Sequence, residues 1–220
     1  MLGQFDFQVV WDSVPFLAEG MLVTLLLTGL ALAGGILLGT VLALCRLSPV
    51  TALAFVGGAY VNFFRSMPLI LVIFWFYFLV PIVVGRPVGG LYSVLIAFTL
   101  FEAAYYCEII RAGIQSISKG QFAAATALGM TGRQSMQFVV LPQAFRAMVP
   151  VLLTQAIILF QDTSLVYVVG LRDFLVSADL VANRENRLIE MFVTVAVVYF
   201  VLCAAGSAAV AWLQKRMTFS

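Results

Sequence analysis

Apolar positions in this chain fall in blocks close to the roughly 20 residues that a helix needs to cross a bilayer. The blocks lie at roughly 20–44, 56–80, 91–110, 147–170 and 189–213. Two of them are interrupted, the second by Asn62 and Arg65-Ser66-Met67-Pro68 and the fourth by Gln161-Asp162-Thr163-Ser164. Between the third and fourth blocks the texture changes. The stretch GQFAAATALGMTGRQSMQFVVLPQAF, residues 120–145, is rich in Ala and Gly and carries three Gln residues before Pro142. Ser118-x-x-Gln121 fits a capping box that opens a helix, and the alanines favour its continuation. Gly129 is placed to end it as a left-handed cap. Thr131-x-x-Gln134 offers a second box and a second short helix to about Val140, and Pro142 blocks simple continuation into the next span. The pattern predicts an all-α polytopic membrane protein, one domain over 1–220, with five spans and a helical cytoplasmic segment at 119–141. Residues 1–19 lack the basic start of a signal peptide. Their Phe5, Phe7, Trp11 and Phe16 suit an interfacial helix.

Composition agrees. The chain is 63% hydrophobic and only 10% charged, against about 45–50% and 25% in soluble domains. Its mean hydropathy is +1.09. A net charge of +2 with no basic arm points away from nucleic acid. Cys45, Cys107 and Cys203 sit in apolar stretches without disulfide or zinc spacing. Histidine is absent, which removes the commonest metal ligand and general base. Charge also orients the chain. With the N-terminus outside, the inner segments hold seven basic residues (Arg46, Arg111, Lys119, Arg133, Arg146, Lys215, Arg216) and the outer ones four (Arg86, Arg172, Arg184, Arg187). That is the positive-inside bias, and it places 119–141 and the C-terminus in the cytoplasm. An odd number of spans excludes a full inverted repeat, so a pore on a symmetry axis needs a second subunit.

Ionisable groups within spans mark a pathway or a pairing. Glu108 and Arg111 suit a helical i,i+3 pair, and Glu102 could pair across helices with Arg65. Gln161, Asp162, Thr163 and Ser164 differ, because four consecutive helical residues face every direction. They require a water-filled cavity or non-helical backbone, or else a polar packing cluster. Asn62 and Ser66 line the same pathway if the second span faces the fourth, with Pro68 kinking the second. Gly35-x3-Gly39 is compatible with close helix packing. No phosphate-binding glycine loop occurs, so any use of ATP relies on a partner. The segment 120–141 has one basic residue, Arg133, which weakens a lipid-headgroup role.

The run from Ala123 resembles the cytoplasmic signature of ABC importer permeases, E-A-A-x3-G-x9-I-x-L-P. Ala124, Ala125 and Gly129 match it, Val139 stands at the Ile position, Leu141-Pro142 close it, and Ala123 replaces the glutamate. AYVNFFRSMPLILVIFWFYFLVP, FEAAYYCEIIRAGIQSISKGQ, LPQAFRAMVPVLLTQ and LFQDTSLVYVVGLRDF extend the resemblance to polar amino-acid uptake permeases, and FWFYFLVP with FEAAYY is most similar to the glutamate/aspartate permeases. The resemblance implies the type I importer permease fold and a bacterial cytoplasmic (inner) membrane location. It implies coupling to a cytoplasmic ATPase dimer through Gly120, Ala123, Ala124, Ala125, Leu128, Gly129, Met130, Leu141 and Pro142. ATP and Mg would bind that partner and no cofactor this chain. The remaining partners implied are a second permease subunit, with an unlike one favoured over a copy, an extracytoplasmic amino-acid-binding protein, and membrane lipid. Substrate-pathway residues would be Asn62, Arg65, Ser66, Gln161, Asp162, Thr163 and Ser164. Glutamine, arginine or histidine are the alternative substrates. An ion-coupled secondary transporter and an intramembrane enzyme using Asp162 and Glu102 are the alternative classes, and neither explains the helix pair at 119–141.

Overall fold

The computed structural model describes residues 5–218, all of whose regular structure is helical. Four helices are long and apolar enough to cross a membrane: α1 (Phe7–Leu47), α4 (Gly90–Gln115), the run Gly132–Val169 that contains α7 (Leu141–Asp162), and α9 (Leu188–Thr218). The block expected as one kinked second span is instead two helices, α2 (Thr51–Arg65) and α3 (Leu69–Val84), bent by 104° at the break. Pro68 is the cause. Its extended backbone (φ −64°, ψ 136°) caps α3 at a point where α2 would need a helical residue. Ser66 N–H closes α2 onto Asn62 and Phe63 carbonyls. α1 has 41 residues, about 60 Å at 1.5 Å per residue, twice the hydrocarbon thickness. The residues expected at the interface are, as far as described, its first turns; residues 1–4 of that segment lie outside the described residues.

The chain divides into two compact units. The first comprises residues up to Leu32, Pro68–Phe98 and Ile157–Ala208. Its core joins Leu17 of α1, Phe174, Ala178, Val181 and Ala182 of α8 (Phe174–Glu185), and Met191 and Val195 of α9. Asp173 caps α8, its Oδ1 accepting from Val176 N–H at 2.8 Å. Thr24 Oγ1 accepts from Phe174 N–H at 3.1 Å, tying the same turn to α1. The approach is close enough to require glycine: a Cβ on Gly20 would lie 2.5 Å from the Asp173 carbonyl oxygen. Asp173 is buried with Oδ2 unpartnered, and burial pushes its carboxyl up to about 6.

The second unit comprises Ala33–Met67, Thr99–Ala156 and the chain from Ala209. Here the G-x3-G spacing is used. A Cβ on Gly35 would meet Glu102 Cβ at 3.0 Å, and one on Gly39 would lie 2.9 Å from the Ala103 carbonyl oxygen and Cys107 amide nitrogen. The second half of α1 thus lies backbone-close on α4, with Ala103, Ala104, Tyr106 and Cys107 fully buried.

Both features can be tested by substitution. Gly39→Leu forces backbone apart and should cost about 1–3 kcal/mol of stability or more, as overpacking does, whereas Gly29→Leu, with nothing within 4 Å, should be neutral; thermal unfolding in detergent separates them. Asp173 titrates at about 6 in the fold and near 3.9 unfolded, so the folded state holds its proton more tightly. Its contribution to stability is therefore largest below about pH 4 and declines as pH rises to about 6. Asp173→Asn, which keeps the Oδ1 cap, should flatten that part of the melting-temperature profile.

Candidate functional site

Two regions carry the expected functional residues. The first is α5 (Lys119–Ala127) with the turn after it. Ser118 has cap geometry but its hydroxyl makes no cap bond, so the first expected box does not form. Gln121 turns instead toward α7, where its Oε1 accepts from Gln143 Nε2 at 3.3 Å. The helix closes as expected. Gly129 adopts φ +82°, Met130 N–H reaches Ala125 O at 3.1 Å and Gly129 N–H reaches Thr126 O at 2.9 Å. This paired closure covers the last carbonyls of α5.

The second box does form: Gln134 N–H donates to Thr131 Oγ1 and Thr131 N–H donates to Gln134 Oε1. The separate short helix expected to stop at Pro142 is not formed. After α6 (Gly132–Gln134), a π-helical turn (Ser135–Val140) runs directly into α7. Pro142 is the second residue of α7, directly behind the wider π turn, which accommodates a residue without an N–H. Gln143 Nε2 covers the Val139 carbonyl at 2.9 Å. Pro142 therefore shapes an entry and does not end a helix.

Of the coupling candidates, Ala125 is buried and Met130 half-buried. Gly120, Ala123, Ala124, Gly129, Leu141 and Pro142 are exposed, and Leu128 is 80% exposed. Ala125 anchors α5 while Ala123, Ala124 and Leu128 present a small, apolar outer surface. Exposed Phe122 belongs to the same helix. Its presence there is not evident from the sequence, since one aromatic in an Ala-rich helix carries no periodic signal.

The second region is the polar pair of breaks. α7 ends at Asp162 and the chain tightens into a 3-10 helix (Thr163–Val169) that Gly170 ends at φ +66°. Non-α backbone is thus present where four consecutive polar residues required it. Buried Thr163 donates to Phe160 O at 2.7 Å and Ser164 to Gln161 O at 2.8 Å. Both hydroxyls are spent on backbone, so Gln161, exposed, and Asp162, half-buried, keep the open polar surface. These four belong to the first unit.

Asn62, Arg65 and Ser66 belong to the second unit, all exposed around the end of α2. Arg65, expected as a partner for Glu102, stands 3.9 Å from Glu108 and 5.5 Å from the centre of the Tyr105 ring. Glu108 makes the expected i,i+3 pair with Arg111 at 2.6 Å. It also pairs with Arg46 of α1, a contact that distance in sequence concealed. Glu102, buried, accepts from Gln155 Nε2 of α7 at 3.1 Å.

Comparison with known proteins agrees with this architecture. The glutamate/aspartate import permease protein GltK of Escherichia coli O157:H7 is 50% identical over 97% of this chain and 98% of its own length. The arginine transport system permease protein ArtQ of Bacillus subtilis is 34% identical over 90% of each chain. A crystal structure of an amino acid ABC transporter with histidines superposes with a TM-score of 0.91 at 30% identity, covering 97% of this chain and all of that one. The family model that matches residues 35–219 describes the binding-protein-dependent transport system inner membrane component. With helices broken where polar residues need them and an exposed cap-and-glycine helix between two spans, the chain belongs to that family of transport-system membrane components.

Proposed function

We propose that this chain is the transmembrane subunit of an ATP-driven importer of polar amino acids, with glutamate and aspartate as its substrates. The observation that carries the reading is α5: a short helix, locked at its end by Gly129, that exposes Ala123, Ala124 and Leu128. Together with exposed Phe122, these side chains give α5 several apolar positions open to a partner, and apolar surface grouped in this way is what suits a partner's cleft. A cytoplasmic ATPase dimer supplies that cleft, together with the nucleotide and magnesium chemistry for which this chain has no glycine loop. ATP binding closes the ATPase pair and draws the coupling helices together. The direct run from Thr131 through the π turn into α7 carries the motion into the span that ends at Gln161 and Asp162. Ala123 stands where the family signature has glutamate, so here the contact at that point is apolar.

The same reading places the N-terminus outside and the C-terminus in the cytoplasm of a bacterial inner membrane. Charge supports it. In that topology the inner segments hold seven basic residues and the outer ones four, the positive-inside bias. A second permease, unlike this one, completes the pathway. An extracytoplasmic binding protein delivers substrate near Tyr77, Tyr92 and Arg172. The 50% identity to a protein named for glutamate and aspartate import favours acidic substrates. The 34% identity to one named for arginine transport keeps a basic amino acid as the second reading.

The test is the chain co-purified with its partners in vesicles: glutamate and aspartate, delivered with the binding protein, should stimulate ATP hydrolysis and accumulate inside, and a complex stimulated only by arginine overturns the substrate assignment. Leu128→Asp, on an exposed side chain, should leave the permease folded yet lower coupled uptake at least about tenfold, the scale of losing a contact worth about 2 kcal/mol. Gln161→Ala and Asp162→Ala should each lower uptake with the ATPase still assembled; unchanged uptake rates in both would remove them from the pathway.

A further inference from the structure

The second unit contains a cavity of about 510 Å³ between the end of α2, the second half of α4 and the first half of α7. Its volume lies in the range of about 300–1,000 Å³ of small-molecule pockets. The walls are mostly apolar, including Ile109, Ala112, Met148 and Val151, and the charged side chains lining it are Arg65 and Glu108. Glu108 is already committed. Its Oε1 pairs with Arg46 and its Oε2 with Arg111 at 2.6 Å. Arg65 is left at 3.9 Å from that carboxylate, outside hydrogen-bond range, with its side chain 46% exposed. Three guanidiniums thus share one carboxylate, and the least engaged of them lines the cavity. Glu102, the other acidic residue of this unit, is fully buried and accepts from Gln155.

Arg65, which also lies 5.5 Å from the Tyr105 ring centre, is thus a partly exposed cation beside apolar walls, and an ionisable group in such a place marks a function. It also states the chemistry of what belongs there: a small anion whose carboxylate can take the paired N–H groups of a guanidinium. We infer that this cavity is a transient station for an acidic amino acid on its way through the membrane, with Arg65 as the counter-charge to its side-chain carboxylate. The inference rests on the importer reading above and deepens it by naming the residue that makes an anionic substrate acceptable. The loose Arg65–Glu108 spacing matters for turnover. A station on a conduction path has to attract its passenger and still release it. Glu108 can draw Arg65 back when the substrate leaves.

The experiment uses the chain assembled with its partners in vesicles, and two readouts. In uptake, Arg65→Gln should lower glutamate transport about tenfold or more while sparing glutamine or any other neutral substrate the complex accepts, and Arg65→Lys should recover part of the loss. An equal loss for charged and neutral substrates makes Arg65 a structural residue and overturns the proposal. In the second, Ala112→Cys is placed in the cavity of a chain whose three native cysteines are alanine, and its alkylation by a maleimide is timed. Glutamate should slow that alkylation several-fold, glutamine should not, and Arg65→Gln should abolish the protection. Protection that persists in Arg65→Gln, or that requires phosphatidylglycerol in the vesicle and no amino acid, also overturns it. Failure of the importer reading would show separately, as uptake that needs no ATP, and glutamate protection of Ala112→Cys would then still decide the station.

Discussion

Lipid offers no partner to a backbone N–H or C=O, and the breaks within the apolar spans of this chain answer that constraint. Helices can stop inside or beside the bilayer only where something else covers the freed groups. At Ser66 the last carbonyls of α2 are met by backbone N–H groups of the turn. At Thr163 and Ser164 hydroxyls turn back onto the carbonyls of Phe160 and Gln161. After α5, Gly129 and Met130 close the end. Beside these repairs stand Arg65 and Leu128, exposed, and Asp162, half-buried. The candidate site residues cluster at these repairs. A transporter needs polar groups at depth, and broken backbone is where the fold can hold them.

Packing sets the opposite demand. Gly35 and Gly39 let α1 rest on the backbone of α4, which ties a long, otherwise featureless helix to the one that carries Glu102 and Glu108. In lipid such contacts replace the hydrophobic drive between helices. On the same face, Arg46 at the end of α1 reaches Glu108. The glycine seam and the ion pair thus fix one register. Arg46 can be held to Glu108 because the helices are too close to slide, and that engagement is what leaves Arg65 loosely held.

How much of this is legible in the sequence depends on the range of the physics involved. Four of the five spans, the left-handed Gly129 and the Thr131–Gln134 box depend on neighbours within a few residues, and these are present. The Ser118–Gln121 box is equally plausible locally and does not form, because Gln121 has a competing partner, Gln143, twenty-two positions away. Pro142 reads as a stop because proline blocks a helix interior. It sits at a helix entry, and a π turn before it, invisible to propensity, changes which position it occupies. Pro68 reads as a kink, and the break is sharper because the residue caps a new helix outright. Polarity alone groups Asn62, Arg65 and Ser66 with Gln161–Ser164, and the fold assigns them to different compact units. Arg46 on Glu108 and Gln155 on Glu102 are contacts between spans, which no local pattern encodes.

The replacement of glutamate by Ala123 also takes on a meaning from the fold. α5 keeps its shape through Gly129 and its anchor through buried Ala125, and neither depends on position 123. An acidic side chain there would have put charge in the first half of the helix, favourable to its dipole, beside the exposed Ala124 and Leu128. With alanine, the exposed run Phe122, Ala123 and Ala124 of α5 is apolar, as is Leu128 after it. If coupling runs through this helix as proposed, it rests on shape and apolar contact at Leu128 more than on a charged hook, so the hold on an ATPase partner should depend only weakly on salt, since screening acts on charge and leaves buried apolar area unchanged. Measuring co-purification of the two across a salt series, against Ala123→Glu, puts that distinction to the test: the variant's hold should weaken as salt rises, and the natural chain's should not.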